Sequence, residues 1–402
     1  MKNFFLSILI ANVLMLCALQ KASAWDLPLN IDIFQIQFNH TTDSSSSDAI
    51  TIRKNNGSTI ITAPEYNNLT NPVTREKFAY VRNNDASVKA KFMASPFDCD
   101  SSLTIDALAE SSSSFYDVGP VAVWFNGSGI SIENPGNNPY NLVTFSKTQG
   151  SSLPNSVGKK TGGLKWRVTK IGPNTLGTPI ELGTTSHDYY TLLSAPDSFY
   201  NYADNEAGIP WSDALDLACD WASGQSTKPG CISYLTSGLY NYQSLQYGQN
   251  STKYDSGTSQ LYFKALLDSI DILGDVSIDC VSYANLLCLL AYSIGMPYSE
   301  ANGIGYIGIK DGVHTTFTTN TLLPAPYGSA SQIYYWLYHQ IVYFYDESQY
   351  DNFIADAAAR AYNGGSPILS KGDVTYSNYL QLLTTDTGII QYPSSRTKPT
   401  AR

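Results

Sequence analysis

Histidine is scarce in this chain, four among 402 residues, so a reaction that needs an imidazole base has few places to occur. Positive charge is short as well, with 24 Lys and Arg against 34 Asp and Glu. A surface with that deficit repels phosphates, which argues against nucleic acid or an anionic membrane as the main partner. Long apolar runs are missing apart from one near the start, so no second segment is long enough to cross a bilayer. That one run, Phe4 to Leu19, follows Lys2 and precedes Ala22-Ser-Ala24. Basic, apolar, then small-x-small is the pattern of a secretory signal peptide. Residues 1–24 are therefore expected to be cleaved before Trp25, leaving a secreted or periplasmic chain with no membrane insertion. Without Lys2 and Lys21, 22 basic residues face the same 34 acidic ones, a net charge of −12.

Cysteine is also rare, and its count is informative. Six occur, and loss of Cys17 with the leader leaves Cys99, Cys219, Cys231, Cys280 and Cys288. An odd number in an oxidising compartment leaves at least one thiol unbridged. Cys280 and Cys288 cannot join if both lie on one helix, because eight residues separate them by roughly 12 Å. Cys219 and Cys231 flank a turn-rich link between two helical segments and are the expected disulfide. Cys99 either joins Cys288 or stays buried, and Cys280 is the expected thiol.

What is present divides into two halves. Residues 25–195 alternate short apolar runs with Gly, Pro, Asn and Ser turns, as in Val121–Phe125, Gly163–Thr169 and Tyr189–Leu193. This predicts an all-β, sandwich-like module with Trp124 and Trp166 in its core; residues 40–72, rich in Ser, Thr and Asn, are expected as loop or disordered chain. Residues 196–390 read differently. Helical spacing of apolar residues predicts helices over Trp211–Ala222 (capped by Ser212), Cys231–Tyr240, Gln260–Leu273 and Asp279–Ile294. The last stops at Gly295 with Pro297 beyond, the usual helix termination. Strand patterns follow at Gly303–Ile309, Thr315–Thr319 and Ile333–Tyr345, which makes an α+β domain. Residues 391–402 are expected as a tail.

Cys280 opens the last of those helices. Unpaired amides and the helix dipole at that end favour negative charge, so they are expected to lower the thiol pKa. Among the four histidines, His40 lies in the polar N-terminal stretch, His187 at a strand entry and His314 in a loop or strand end. His339 lies inside the aromatic strand Tyr335–Tyr343, where an ionisable ring needs a reason to be placed. Carboxylates follow at Asp346 and Asp351. A thiol, an imidazole and an aligning carboxylate form a nucleophile–base–orienter set.

The segment Gly274–Pro297 resembles the catalytic cysteine helix of the transglutaminase-like superfamily: Cys, then a small-residue and apolar helix, then Gly-x-Pro. Phe317–Asn320, Tyr338–Gln340 and Tyr345–Ser348 resemble the later blocks that carry that family's His and Asp. The resemblance covers residues 196–385. It implies a helical part plus an antiparallel sheet, Cys280 as nucleophile, His339 as base, and Asp346 ahead of Asp351 as orienting carboxylate. It also implies an aromatic oxyanion donor upstream of the cysteine, for which Tyr247 is the candidate. No metal or organic cofactor is required. The expected substrate is a protein or peptide amide, and water or an amine completes the reaction, giving a peptidase or amidase, or a cross-linking transglutaminase. The competing reading is an inactive transglutaminase-like domain that binds or scaffolds at a cell surface. It draws on the seven-residue separation of His339 and Asp346, which leaves no marked turn between them.

Overall fold

The computed structural model describes residues 33–37, 50, 52–56, 59–62, 66–67, 76–81, 89–94, 103–109, 127–132, 141–146, 154–171, 174–197, 209–248, 251–255, 260–297, 304–311, 317–326, 331–336, 338–346, 351–363, 366–367, 374–384, 389–397 and 400–401. The leader, Cys17, His40, Cys99, Trp124 and His314 lie outside them, as does the side chain of Trp166.

Every element described between residues 33 and 192 is a strand. A four-stranded sheet contains Ile33–Gln37 and Lys89–Ala94; a five-stranded sheet is built around the long hairpin Gly158–Ile171 and Asn174–Leu192. Strands at Arg53–Asn56, Thr59–Thr62 and Tyr66–Asn67 fall within the stretch expected as loop.

Helices begin at residue 212, and elements are numbered from there. Helix α1 is Ser212–Trp221 and α2 is Lys228–Tyr240. Ser212 sits inside α1 and does not cap it, whereas Thr227 caps α2 by accepting from the Gly230 amide at 3.2 Å. A short strand β1, Leu245–Tyr247, precedes α3, Phe263–Leu273. Strand β2, Val276–Ile278, pairs in parallel with β1 and leads into α4, Cys280–Ser293. Every residue of α4 except Val281 is buried. That explains why its sequence shows no polar stripe: a helix apolar all round is the centre of a core. Gly295 ends it at φ 86°, a left-handed conformation that suits glycine.

An antiparallel sheet covers α4. Its strands are β3 (Ile304–Asp311), β5 (His339–Asp346), β6 (Asp351–Ala355), β7 (Val374–Thr375) and β8 (Ile389–Thr397), in the spatial order β7-β6-β5-β3-β8. Helix α5, Tyr376–Leu383, follows β7. The helices and this sheet make the second half an α+β unit. Residues 391–397, expected as tail, belong to β8 and pair with β3.

The two halves share a core. Ile52, Ala79, Val157, Tyr190 and Leu192 pack in one cluster with Leu215, Leu235, Leu287 and Leu290. At the seam, the Tyr190 hydroxyl donates to Asp216 Oδ1 of α1 at 2.8 Å, and Lys159 also binds that carboxylate. The boundary drawn at residue 195 from composition thus runs through packed residues.

Candidate active site

The aromatic stretch read as one strand, Ile333–Tyr345, is two. Strand β4, Tyr335–Trp336, ends before β5 starts at His339. In an unbroken strand, residues three apart would face opposite sides. The break instead lets the Trp336 ring lie flat on the His339 ring, with centroids 3.9 Å apart and planes 15° apart. Tyr334 stacks on Trp336 at 5.4 Å, and Tyr247 meets Tyr334 edge-on at 5.6 Å. His339 is 0% exposed beneath this aromatic wall.

The carboxylate that holds His339 is Asp356. Its Oδ2 lies 3.0 Å from His339 Nε2 and also accepts from the Tyr379 hydroxyl of α5 at 2.8 Å. Its Oδ1 accepts from the backbone amides of Ala358 and Ala359. A carboxylate only accepts, so Nε2 carries the hydrogen, and in the neutral ring Nδ1 presents its lone pair. Nδ1 is buried and makes no hydrogen bond.

The structure does not bring Asp346 or Asp351 to the imidazole. Asp346 ends the strand that His339 begins, and seven residues of extended chain span about 23 Å. Asp351 is the cross-strand partner of Asp346 and shares its distant place. The hairpin lies after Asp346, and β6 returns antiparallel with Val342 opposite Ala355. Residue 356 therefore comes back beside the start of β5. Two signals could have found Asp356. One is that return count, and the other is a lone acidic residue inside Ile354-Ala-Asp-Ala-Ala-Ala359, because buried charge needs a partner.

Cys280 begins α4, as expected. Asp279 is the N-cap, its Oδ1 accepting from the Ser282 amide at 3.0 Å. The backbone amides of Gln340, next to His339 in the chain, and of Cys280 itself pull the thiol pKa down. These favour thiolate, but burial outweighs them. At 6% exposure the thiol is pushed well up, with the charges of Asp279 and Asp356 adding to the effect. The expectation of a lowered pKa therefore fails for the unliganded chain: dehydration of the thiolate outweighs the helix end.

Tyr247, on β1, lies close enough for its hydroxyl to feel the charge of Cys280. Burial, then Cys280, pushes its ionisation far up, so the hydroxyl stays a neutral donor. On the far side, Gln340 Nε2 donates to Asn285 Oδ1 of α4 at 3.0 Å, and the Tyr338 hydroxyl donates to Gln340 Oε1 at 2.9 Å. The Gln340–Asn285 bond ties the histidine strand to the cysteine helix, and Tyr338 holds the Gln340 amide in place for it.

The expected Cys219–Cys231 disulfide is not formed. Among the described residues Cys219, Cys231, Cys280 and Cys288 are all unbridged. Cys219 in the last turns of α1 and Cys231 at the start of α2 are both 0% exposed. They pack as small apolar side chains in the core. No group of described His, Cys, Asp and Glu residues is arranged to hold a metal, and no described helix is long and apolar enough to cross a membrane.

No family model matches the chain, and no curated protein matches it. Among solved structures, it is similar to the crystal structure of red sea bream transglutaminase, with a TM-score of 0.35 and 10% identity. That match covers 73% of this chain and 51% of the other, so the chain spans about half the length of that structure.

Proposed function

We propose that the chain is a cysteine-dependent acyl-transfer enzyme of the transglutaminase-like kind, acting on amide or peptide bonds. The observation that carries this reading is the buried His339, held at Nε2 by Asp356 and unpartnered at Nδ1, whose chain neighbour Gln340 lies by the cysteine that opens a helix. A ring held this way could receive the Cys280 proton once sulfur and Nδ1 come within hydrogen-bond reach. Cys280 Sγ would bond to the carbonyl carbon as its proton passes to Nδ1. The oxyanion would be met by the Cys280 amide and the Tyr247 hydroxyl. The C–N bond would then break, with the imidazolium returning the proton to the leaving amine. Water would release the acyl group in a peptidase or amidase; a second amine would give a cross-link. Hydrolysis is the leading branch. Export is part of the proposal, on the strength of the pattern in residues 2–24.

The test is an acyl-enzyme trap. Purified chain and p-nitrophenyl acetate should give a burst of nitrophenol and an acetyl group on Cys280 by mass spectrometry. A burst that survives in Cys280→Ala would overturn the reading. Adding a dansylated amine with candidate acceptor proteins then separates the branches, because only transamidation incorporates label.

One observation favours the second reading, an inactive domain that binds or scaffolds. The thiol is nearly inaccessible and held protonated. An intact, folded chain that never acquires an acetyl group at Cys280 would establish it.

A further inference from the structure

Strand β5 packs differently on its two faces. Val342 and Phe344 join the cluster of Leu287 and Leu290 of α4, whereas Ile341 packs in a separate cluster with Trp336 and with Tyr379 of α5. Side chains two apart along a strand share a face. His339 therefore lies on the α5 side, where Asp356 and Tyr379 hold it, and Gln340 is the neighbour that faces the cysteine helix. His339 is the first residue of β5 and Cys280 the first of α4. Whether thiol and imidazole meet thus depends on how the strand is seated along the helix.

An amide pair seats it. Gln340 Nε2 donates to Asn285 Oδ1 at 3.0 Å, with Gln340 1% and Asn285 0% exposed, and the Tyr338 hydroxyl fixes Gln340 Oε1 at 2.9 Å. Asn285 follows Cys280 on the same helix by about 7.5 Å of rise. Gln340 directly follows His339 on the strand. Stability alone does not account for this pair. Cys288 and Leu289, one turn on from Asn285, and Val342, next on the same face of β5, are apolar and buried. Replacing both partners of a buried hydrogen bond by apolar groups of the same shape is close to neutral. Asn285 Nδ2 is moreover buried without a hydrogen bond, a cost that an apolar pair would not carry. What the amides add is position. Apolar contacts tolerate repacking, whereas a hydrogen bond holds only within a range of about 0.5 Å, so a buried polar pair fixes one arrangement of a core.

We propose that Gln340 and Asn285 are a positioning pair for the thiol and the imidazole: their hydrogen bond sets the seat of β5 on α4, and so the separation of Cys280 and His339. This role rests on those two residues acting together as proposed above. A slip of one residue would shift the strand by about 3.3 Å, and a misplacement of 1 Å at the reacting atoms is enough to cost about 100-fold in rate.

The pair is changed as a pair, because either single variant would leave a buried amide alone. Asn285→Leu with Gln340→Met removes both amides and keeps their approximate shapes. Asn285→Gln with Gln340→Asn keeps the bond and the combined length of the two side chains. Burst kinetics of the full chain with p-nitrophenyl acetate, followed against its concentration, separate the saturating acylation rate from the half-saturating concentration. The apolar pair should keep a wild-type unfolding midpoint and an unchanged half-saturation while its saturating rate falls about 100-fold. The exchanged pair should recover to within about tenfold of wild type. A wild-type rate in the folded apolar variant would overturn the proposal, and so would an exchanged pair that unfolds or reacts no faster than the apolar one. An apolar variant that does not fold would also overturn it, since the bond would then serve the fold alone. A wild-type chain that gives no burst would instead sink the acyl-transfer reading, and this role with it, so the two failures are distinct.

Discussion

His339 Nε2 and Asp356 Oδ2 stand 3.0 Å apart, although an entire hairpin separates the two residues in the chain. The same carboxylate satisfies a tyrosine hydroxyl and two backbone amides, so it is both the orienting group of the proposed site and a structural knot.

Those two roles can be pulled apart. Asp356→Asn retains much of the volume and some of the bonds, and should lower acyl-enzyme formation by roughly 10²–10⁴-fold with a folded chain. Asp356→Ala leaves the Tyr379 hydroxyl and the Ala358 amide buried without their acceptor. It should lower unfolding free energy by about 3 kcal/mol in a denaturant titration. Asp346→Asn should leave the burst rate at the wild-type level, and a matching loss there would restore Asp346 as the orienting group.

Tyr247→Phe removes one hydroxyl from an otherwise unchanged aromatic wall. If that hydroxyl meets the oxyanion, the acylation rate should fall about 100-fold while the unfolding midpoint barely moves. Equal rates for the two proteins would remove Tyr247 from the mechanism.

Alkali should loosen the fold. Burial raises Cys219, Cys280 and Cys288 above their ordinary value of 9.0, and raises Tyr189, Tyr190 and Tyr283 above 10.0. The unfolded chain therefore releases these protons first, and stability falls as pH rises past about 9. Denaturant midpoints should hold steady from neutral pH to about 8 and then drop. A flat curve through pH 10.5 would contradict the burial of these groups.

Gly295→Ala tests the seam between the halves. A Cβ there would sit 2.2 Å from the Ser194 carbonyl oxygen, on a residue already at φ 86°. Chemical denaturation should show a loss of about 3 kcal/mol.

The sequence made the helices legible because their signals are local. Gly295 and Pro297 mark the end of α4, and apolar spacing marks α1 and α3. Cys280 stood out for its position after polar residues, and His339 for its apolar surroundings. Asp356 was hidden because its relation to His339 depends on where a hairpin turns, and no Gly, Pro or Asn between Gln340 and Asp351 announces the turn that follows Asp346. The break that separates Trp336 from His339 was hidden for a similar reason. An unbroken run of aromatic residues looks like one strand, and only three-dimensional packing shows the fold in the chain. The cysteine pair misled for a physical reason: two thiols near a turn look alike whether they bond or simply fill space. The pKa of Cys280 misled because a helix end can be read from sequence and burial cannot.

A helix buried on every side but one residue has no neutral positions. Almost any single substitution along α4 will move its first turn relative to the strand that carries His339, so stability and reactivity cannot be adjusted separately that way. Screens that score only activity will return many α4 variants whose defect is folding, and a parallel stability measurement is needed to tell them from true site mutants.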